Sequence, residues 1–156
     1  MRVFIVGPDG AGKTTLAKKL AKEWNLSYKH FSRPSDEDVN NQQEMYIKEI
    51  LATDNVVFDR GWICAKVYGE VMRGQVEISA KEIAAIELEA LKAGPCMIIH
   101  CTDNTDTLWA RCNERGEEYV TSRSKLHDIR LAYHKAVRKS LLPVVEYYVN
   151  ISDFGN

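Results

Sequence analysis

The chemistry-bearing residues begin at the end of the first apolar run. Gly7-Pro8-Asp9-Gly10-Ala11-Gly12-Lys13-Thr14 matches the pattern G-x-x-x-x-G-K-[ST] at every specified position. Glycines let the backbone curl until its N–H groups converge, and the N-terminus of a following helix completes a site for a phosphate. On that pattern Gly7, Asp9, Gly10, Ala11, Gly12, Lys13, Thr14 and Thr15 surround the phosphates of a nucleotide. Lys13 reaches the β- and γ-phosphates and the Thr14 hydroxyl ligates Mg²⁺, so ATP and Mg²⁺ are the expected cofactors. Such a loop does not say what receives the phosphate.

A second pair, Asp59-Arg60, ends the apolar run Val56-Val57-Phe58. That position is the carboxyl edge of a sheet, where open α/β sheets bind ligands. A carboxylate there can hold Mg²⁺ or accept the proton of an attacking oxygen, and a guanidinium can grip a phosphate through two parallel bonds. An internal Asp–Arg ion pair is the structural alternative. Arg111 and Arg115, spaced four apart before Gly116, lie in a basic stretch whose plain reading is a solvated helix face.

These residues need a scaffold that brings strand ends together. Arg2–Val6 reads as a strand buried on both faces. Leu16, Leu20 and Trp24 repeat at helical spacing from about Lys13 to Asn25. Tyr28–Phe31 is a weak second strand closed by Arg33-Pro34, and Val39, Tyr46, Ile47, Ile50 and Leu51 suggest a second helix. Val56–Phe58 is the third strand. Trp62, Ala65, Tyr68 and Met72 fit a third helix, and Ser79 with Glu82 forms a capping box for a fourth, stopped by Gly94-Pro95. Cys96–Cys101 is a strand and Thr105–Asn113 a helix. Leu126, Ile129, Tyr133 and Val137 mark a last long helix, with a final strand near Tyr147–Ile151 after Pro143. Strands separated by helices predict an α/β fold with a parallel sheet and helices on both faces.

The loop at positions 7–15, Arg33-Pro34, Asp59-Arg60 followed by Tyr68, and Arg111-x-x-x-Arg115-Gly116 occur in an order that resembles the thymidylate kinase family. Deoxynucleoside kinases are close relatives of that family. The resemblance implies a three-layer P-loop fold over residues 1–156, with a five-stranded parallel sheet of order 2-3-1-4-5 and a lid segment near residues 111–125. It implies that Asp9 accepts from the sugar 3′-hydroxyl of the acceptor and that Arg60 holds the acceptor's phosphate. Arg33 and Tyr68 would line the acceptor pocket, Thr14 and Asp59 would hold the metal, and Arg111, Arg115 and Arg123 would serve as lid bases. For Asp9 a turn-forming role stands beside this one, for Tyr68 a core role, and for Arg33 a solvated loop. Gly61-Trp62-Ile63-Cys64 and Gly69 depart from the family pattern at the acceptor pocket, and either Tyr46 or Trp62 would have to supply the base-stacking aromatic.

The implied activity is ATP-dependent transfer of the γ-phosphate to a nucleoside monophosphate, a deoxynucleotide such as dTMP. A deoxynucleoside kinase is the alternative within enzymes, and a nucleotide-binding switch or regulatory module the alternative from another class. No guanine-reading N/T-K-x-D motif supports the switch. The 156-residue chain has net charge −1, which gives no overall field for nucleic acid or an anionic membrane. Bases do collect locally between Arg111 and Lys139, and acids between Asp36 and Asp59. The expected partner is a small-molecule nucleotide acceptor, with a homodimer left open. The absence of a long apolar run predicts a cytoplasmic protein. Cys64, Cys96, Cys101 and Cys112 form no C-x-x-C pair and no Cys/His set at zinc spacing, so they read as reduced and mostly buried.

Overall fold

A computed structural model describes residues 1–31, 41–116 and 119–149; Arg33, Val39 and Ile151 lie outside the described residues. The elements run β1 (Arg2–Val6), α1 (Lys13–Glu23), β2 (Ser27–His30), α2 (Gln42–Ala52), β3 (Val56–Asp59), α3 (Trp62–Met72), α4 (Ala80–Ala93), β4 (Cys96–Thr102), α5 (Thr105–Arg115), α6 (Arg123–Arg138) and β5 (Val144–Tyr148). The strands form one parallel sheet of order β2-β3-β1-β4-β5, flanked by the helices as the alternating pattern requires. β1 is buried along its whole length because it is the central strand with helices on both sides, which is why its sequence is an unbroken apolar run after Arg2.

β5 lies earlier than the sequence suggests. It begins directly after Pro143, whose carbonyl already accepts from the Ile98 amide at 2.8 Å. As an edge strand it is largely exposed and carries Glu146 in its middle, so its apolar pattern is diluted.

A row of rings crosses one face of the sheet. Phe4 stacks on its register partner Phe58 (centroids 5.1 Å apart) and Phe58 on Phe31 (5.0 Å). Trp62 meets Phe4 edge-on at 4.6 Å, and Tyr46 meets Phe31 edge-on at 5.1 Å. Offset and edge-to-face geometries add to the apolar area that these rings bury. At the opposite end of the strands, Arg2 donates to the carbonyls of Ile50, Thr53 and Ala93, so one buried guanidinium closes the C-terminal ends of α2 and α4. Cationic donors suit helix C-termini, where carbonyls lack intrahelical partners.

The expected capping box is present: the Glu82 amide donates to Ser79 Oγ, and the Ser79 amide donates to Glu82 Oε1. All four cysteines are buried free thiols. Among the described residues no helix is long and apolar enough to cross a membrane.

Glu87 is the main buried acid away from the strand ends. It accepts from Trp62 Nε1 (3.1 Å), Ser140 Oγ (2.7 Å) and the Leu141 amide (2.9 Å), tying α3, α4 and the turn before β5 together. Glu87→Ala orphans three donors at a site with 1% exposure and should cost about 2–4 kcal/mol, measured by urea denaturation. An unchanged midpoint would show that water replaces the carboxyl group freely.

Candidate functional site

The loop between β1 and α1 is wedged between two other elements. Gly7 has φ 150°, and a Cβ there would sit 2.0 Å from the Cys101 carbonyl oxygen of β4. Gly10 has φ 81°, and its Cβ would sit 2.6 Å from the Leu108 carbonyl oxygen of α5. Only glycine allows that approach. Gly12 caps α1 in the left-handed region, and no side chain bonds the first-turn amides. Those amides and the helix dipole point at the same place, which favours an anion. Lys13 is buried, and its Nζ donates to the Pro8 carbonyl at 2.9 Å.

Arg111 comes to this loop from α5. Its Nε donates to the Gly10 carbonyl at 2.8 Å, and one terminal nitrogen lies 3.6 Å from where a Cβ on Gly12 would be. The other lid bases do not converge here. Arg115, one turn farther along α5, is exposed, and Arg123 at the start of α6 pairs with Asp106 at 2.7 Å.

Asp59 ends β3 with no exposed surface. Its Oδ2 accepts from Thr14 Oγ1 and from the Tyr28 hydroxyl, both at 2.7 Å, and its Oδ1 is buried with no hydrogen-bond partner among the described residues. Burial and the bond to Asp59 raise the Tyr28 hydroxyl to about 12, so it remains a donor. The two residues expected to hold a metal are thus in direct contact. An orphaned carboxylate oxygen beside a hydroxyl is a hard oxygen set of the kind Mg²⁺ takes, so these side chains fit that ion.

Arg60 follows in a left-handed conformation (φ 76°) rare for a side-chain-bearing residue, and its amide donates to the Ile5 carbonyl at 2.9 Å. No ion pair joins it to Asp59. It lines instead a cavity of about 230 Å³ walled by Phe31, Tyr46, Tyr68 and Tyr119, with Gly61, Cys64 and Ala65 from the start of α3. Burial opposes the Arg60 charge, but Cys64, Tyr68, Tyr133 and Asp9 around it hold its pKa above the ordinary value. Asp9 Oδ2 and the Tyr68 hydroxyl are both buried without a hydrogen-bond partner among the described residues. Burial and then the Asp9 carboxylate push the Tyr68 hydroxyl well up.

The two aromatics are placed differently: Tyr46 lines the cavity, whereas Trp62 packs against Phe4 and donates to Glu87 in the core. Sequence reasoning missed the remainder of the wall. Arg73 donates two hydrogen bonds to the Glu77 carboxylate (Nε to Oε1 2.5 Å, Nη2 to Oε2 3.1 Å), and its Nη1 donates to the Tyr119 hydroxyl at 2.7 Å. The available signal was the opposite charges four apart around Gly74, which turns the chain with φ 63° just after α3. Tyr119 carried none.

No curated protein sequence matches the chain at a significant level. Its fold is similar to the YorR protein from Bacillus subtilis, solved in complex with phosphorylated GDP (TM-score 0.80, 20% identity, 96% of this chain and 86% of that one). It is similar to deoxyadenosine kinase from M. mycoides with bound dCTP (TM-score 0.62, 19% identity, 96% and 91% covered). It is also similar to polyphosphate kinase 2 from Arthrobacter aurescens TC1 (TM-score 0.68, 18% identity, 94% and 59% covered). The fold is therefore kinase-like. Residues 3–122, which include the glycine loop, Asp59, Arg60 and Arg111, match the model of one sequence family, and the chain belongs to that ATPase family associated with various cellular activities (AAA).

Proposed function

We propose that this protein is an ATP-dependent kinase of the thymidylate kinase type, transferring a γ-phosphate to a nucleoside monophosphate, a deoxynucleotide such as dTMP. The observation that carries the reading is Arg60: it lies next in sequence to the Asp59–Thr14 contact and lines an aromatic-walled cavity. A guanidinium between a metal-binding carboxylate and a pocket for a flat ring is where an acceptor's phosphate is needed. Solved neighbours holding phosphorylated GDP and dCTP support a nucleotide as the ligand class.

In this reading the loop amides and Lys13 bind the phosphates of ATP, and Lys13 exchanges the Pro8 carbonyl for phosphate oxygens. Arg111, held by the Gly10 carbonyl, has a terminal nitrogen beside Gly12 and opposes the charge that builds up during transfer. Thr14 and Asp59 would hold Mg²⁺, which when bound neutralises phosphate oxygens. Asp9 and Tyr68 offer two buried polar atoms to the sugar, Asp9 accepting from its 3′-hydroxyl, while Tyr46 and Phe31 flank the base. The chain's contribution is alignment and charge stabilisation, with no covalent intermediate.

Lys13→Ala should keep the fold and lower ADP formation by at least ~10²-fold; near-normal turnover would remove the loop from the chemistry. Arg111→Ala should lower kcat more than it raises the acceptor KM, because its charge is worth most in the transition state. A change in thermal stability alone would make Arg111 structural. Arg60→Ala should cost about 2–4 kcal/mol in kcat/KM for the monophosphate and leave the KM for ATP nearly unchanged. Wild-type protein that phosphorylates the parent nucleoside as well as the monophosphate would replace this substrate with a deoxynucleoside. ADP formation indifferent to any acceptor would point to a switch.

A further inference from the structure

Across β4 from the phosphate loop lies a group of side chains that the kinase reading leaves unused. His100 of β4 has no exposed surface, and neither of its ring nitrogens has a hydrogen-bond partner among the described residues. His134 of α6 packs against it with ring centroids 4.9 Å apart and planes at 80°. Glu146 of β5 brings its Oε1 to 3.8 Å from His100 Nδ1 and 3.9 Å from His134 Nδ1. One ligand-capable atom from each of the three lies within 4.8 Å of the others.

The spacings of 3.8 and 3.9 Å are too long for hydrogen bonds, so the three side chains face one another without bonding directly. Burial, then the neighbouring His134, lower His100 to about 4, and burial with Arg130 lowers His134 as well. A neutral imidazole keeps a lone pair, the form in which histidine binds metals. Glu146 is the anion: a 2.6 Å bond from the Tyr148 hydroxyl to its Oε2 holds its carboxyl below the ordinary range and leaves Oε1 toward the histidines.

We propose that His100, His134 and Glu146 form a binding site for a zinc-class transition metal ion, a structural clip joining the edge strand β5 to β4 and α6. Two imidazoles and a carboxylate are a zinc donor set, and the oxygen-preferring Mg²⁺ and Ca²⁺ are poorly served by it. Tetrahedral zinc with bonds of about 2.1 Å needs its ligand atoms about 3.4 Å apart. The observed spacings are wider, and the two outer residues can close in: Glu146 stands on an edge strand with its side chain 40% exposed, and His134 is only partly buried. The same exposure gives the ion its entry path and a water its fourth position. Arg130 and Arg138 oppose a cation, so a three-ligand site here binds less tightly than a closed four-ligand one. Arg130 is anchored away by its 2.6 Å bond to the Asp103 carbonyl.

The test uses the full chain stripped with EDTA, titrated with Co²⁺ as a coloured zinc surrogate and competed with Zn²⁺ or Mg²⁺. Expected are one equivalent of Co²⁺ with the visible bands of a four-coordinate ion, displacement by Zn²⁺ but not by Mg²⁺, and a higher Tm with Zn²⁺. His134→Ala and Glu146→Gln, both at partly exposed positions, should each weaken binding by at least ~10-fold and abolish the Tm gain. Asp59→Asn should leave the Co²⁺ bands unchanged, separating this site from the phosphate cleft. Wild-type protein that gives no bands and no Tm shift, or variants that bind as tightly as wild type, would overturn the proposal.

Discussion

The cleft depends on a carboxyl group taken entirely out of water. Asp59 ends β3 with no exposed surface and is held by hydroxyls from α1 and β2, so it pins the first turn of α1 to the second and third strands. Burying such a group is unfavourable unless hydrogen bonds replace its hydration. Two strong donors serve one oxygen, and the other is left without a partner. That unmet demand is what makes the strand end suited to a cation, and the position of Thr14 follows from the same contact.

From that pin the rest of the site is laid out by packing. Gly7 lets the loop touch β4 and Gly10 lets it touch α5, so Arg111 is delivered to the loop by the helix that the loop itself packs against. On the other side, the stack of Phe4, Phe58 and Phe31 runs across the sheet toward the cavity, where Phe31 and Tyr46 become wall. Core and binding surface are thus continuous. Tyr68 shows the continuity directly: its ring meets Tyr133 of α6 at 6.2 Å, its hydroxyl faces the buried Asp9 environment, and Tyr133 in turn stacks near His100. The sheet's far edge and the aromatic-walled cavity are linked through two tyrosines.

The parallel sheet, the phosphate loop and the roles open to Lys13, Thr14 and Asp59 were legible in the residues because each rests on local rules, whereas the strand order was implied only by the family resemblance. A G-x-x-x-x-G-K-T run needs a strand before it and a helix after it, and apolar runs broken by helical repeats need a parallel sheet. Thr14 and Asp59 are far apart in sequence, yet both stand where neighbouring parallel strands end, so their contact follows from topology. β5 was misplaced because an edge strand buries little and its apolar signal is weak.

What only the tertiary structure decided was which of several similar residues face the same space. Tyr46 and Trp62 were equivalent as aromatics until the Glu87 carboxyl claimed the indole and left Tyr46 at the cavity. Arg111, Arg115 and Arg123 were one basic segment until α5 directed the first to the loop and Asp106 took the last. Arg73, Glu77 and Tyr119 meet only because the chain turns at Gly74 and α6 packs on α3. His100, His134 and Glu146 meet because a helix crosses the outer pair of strands. Local sequence determines which backbone a segment adopts and which side chains must be buried; the meeting of distant side chains depends on how whole elements pack, and no spacing along the chain encodes it.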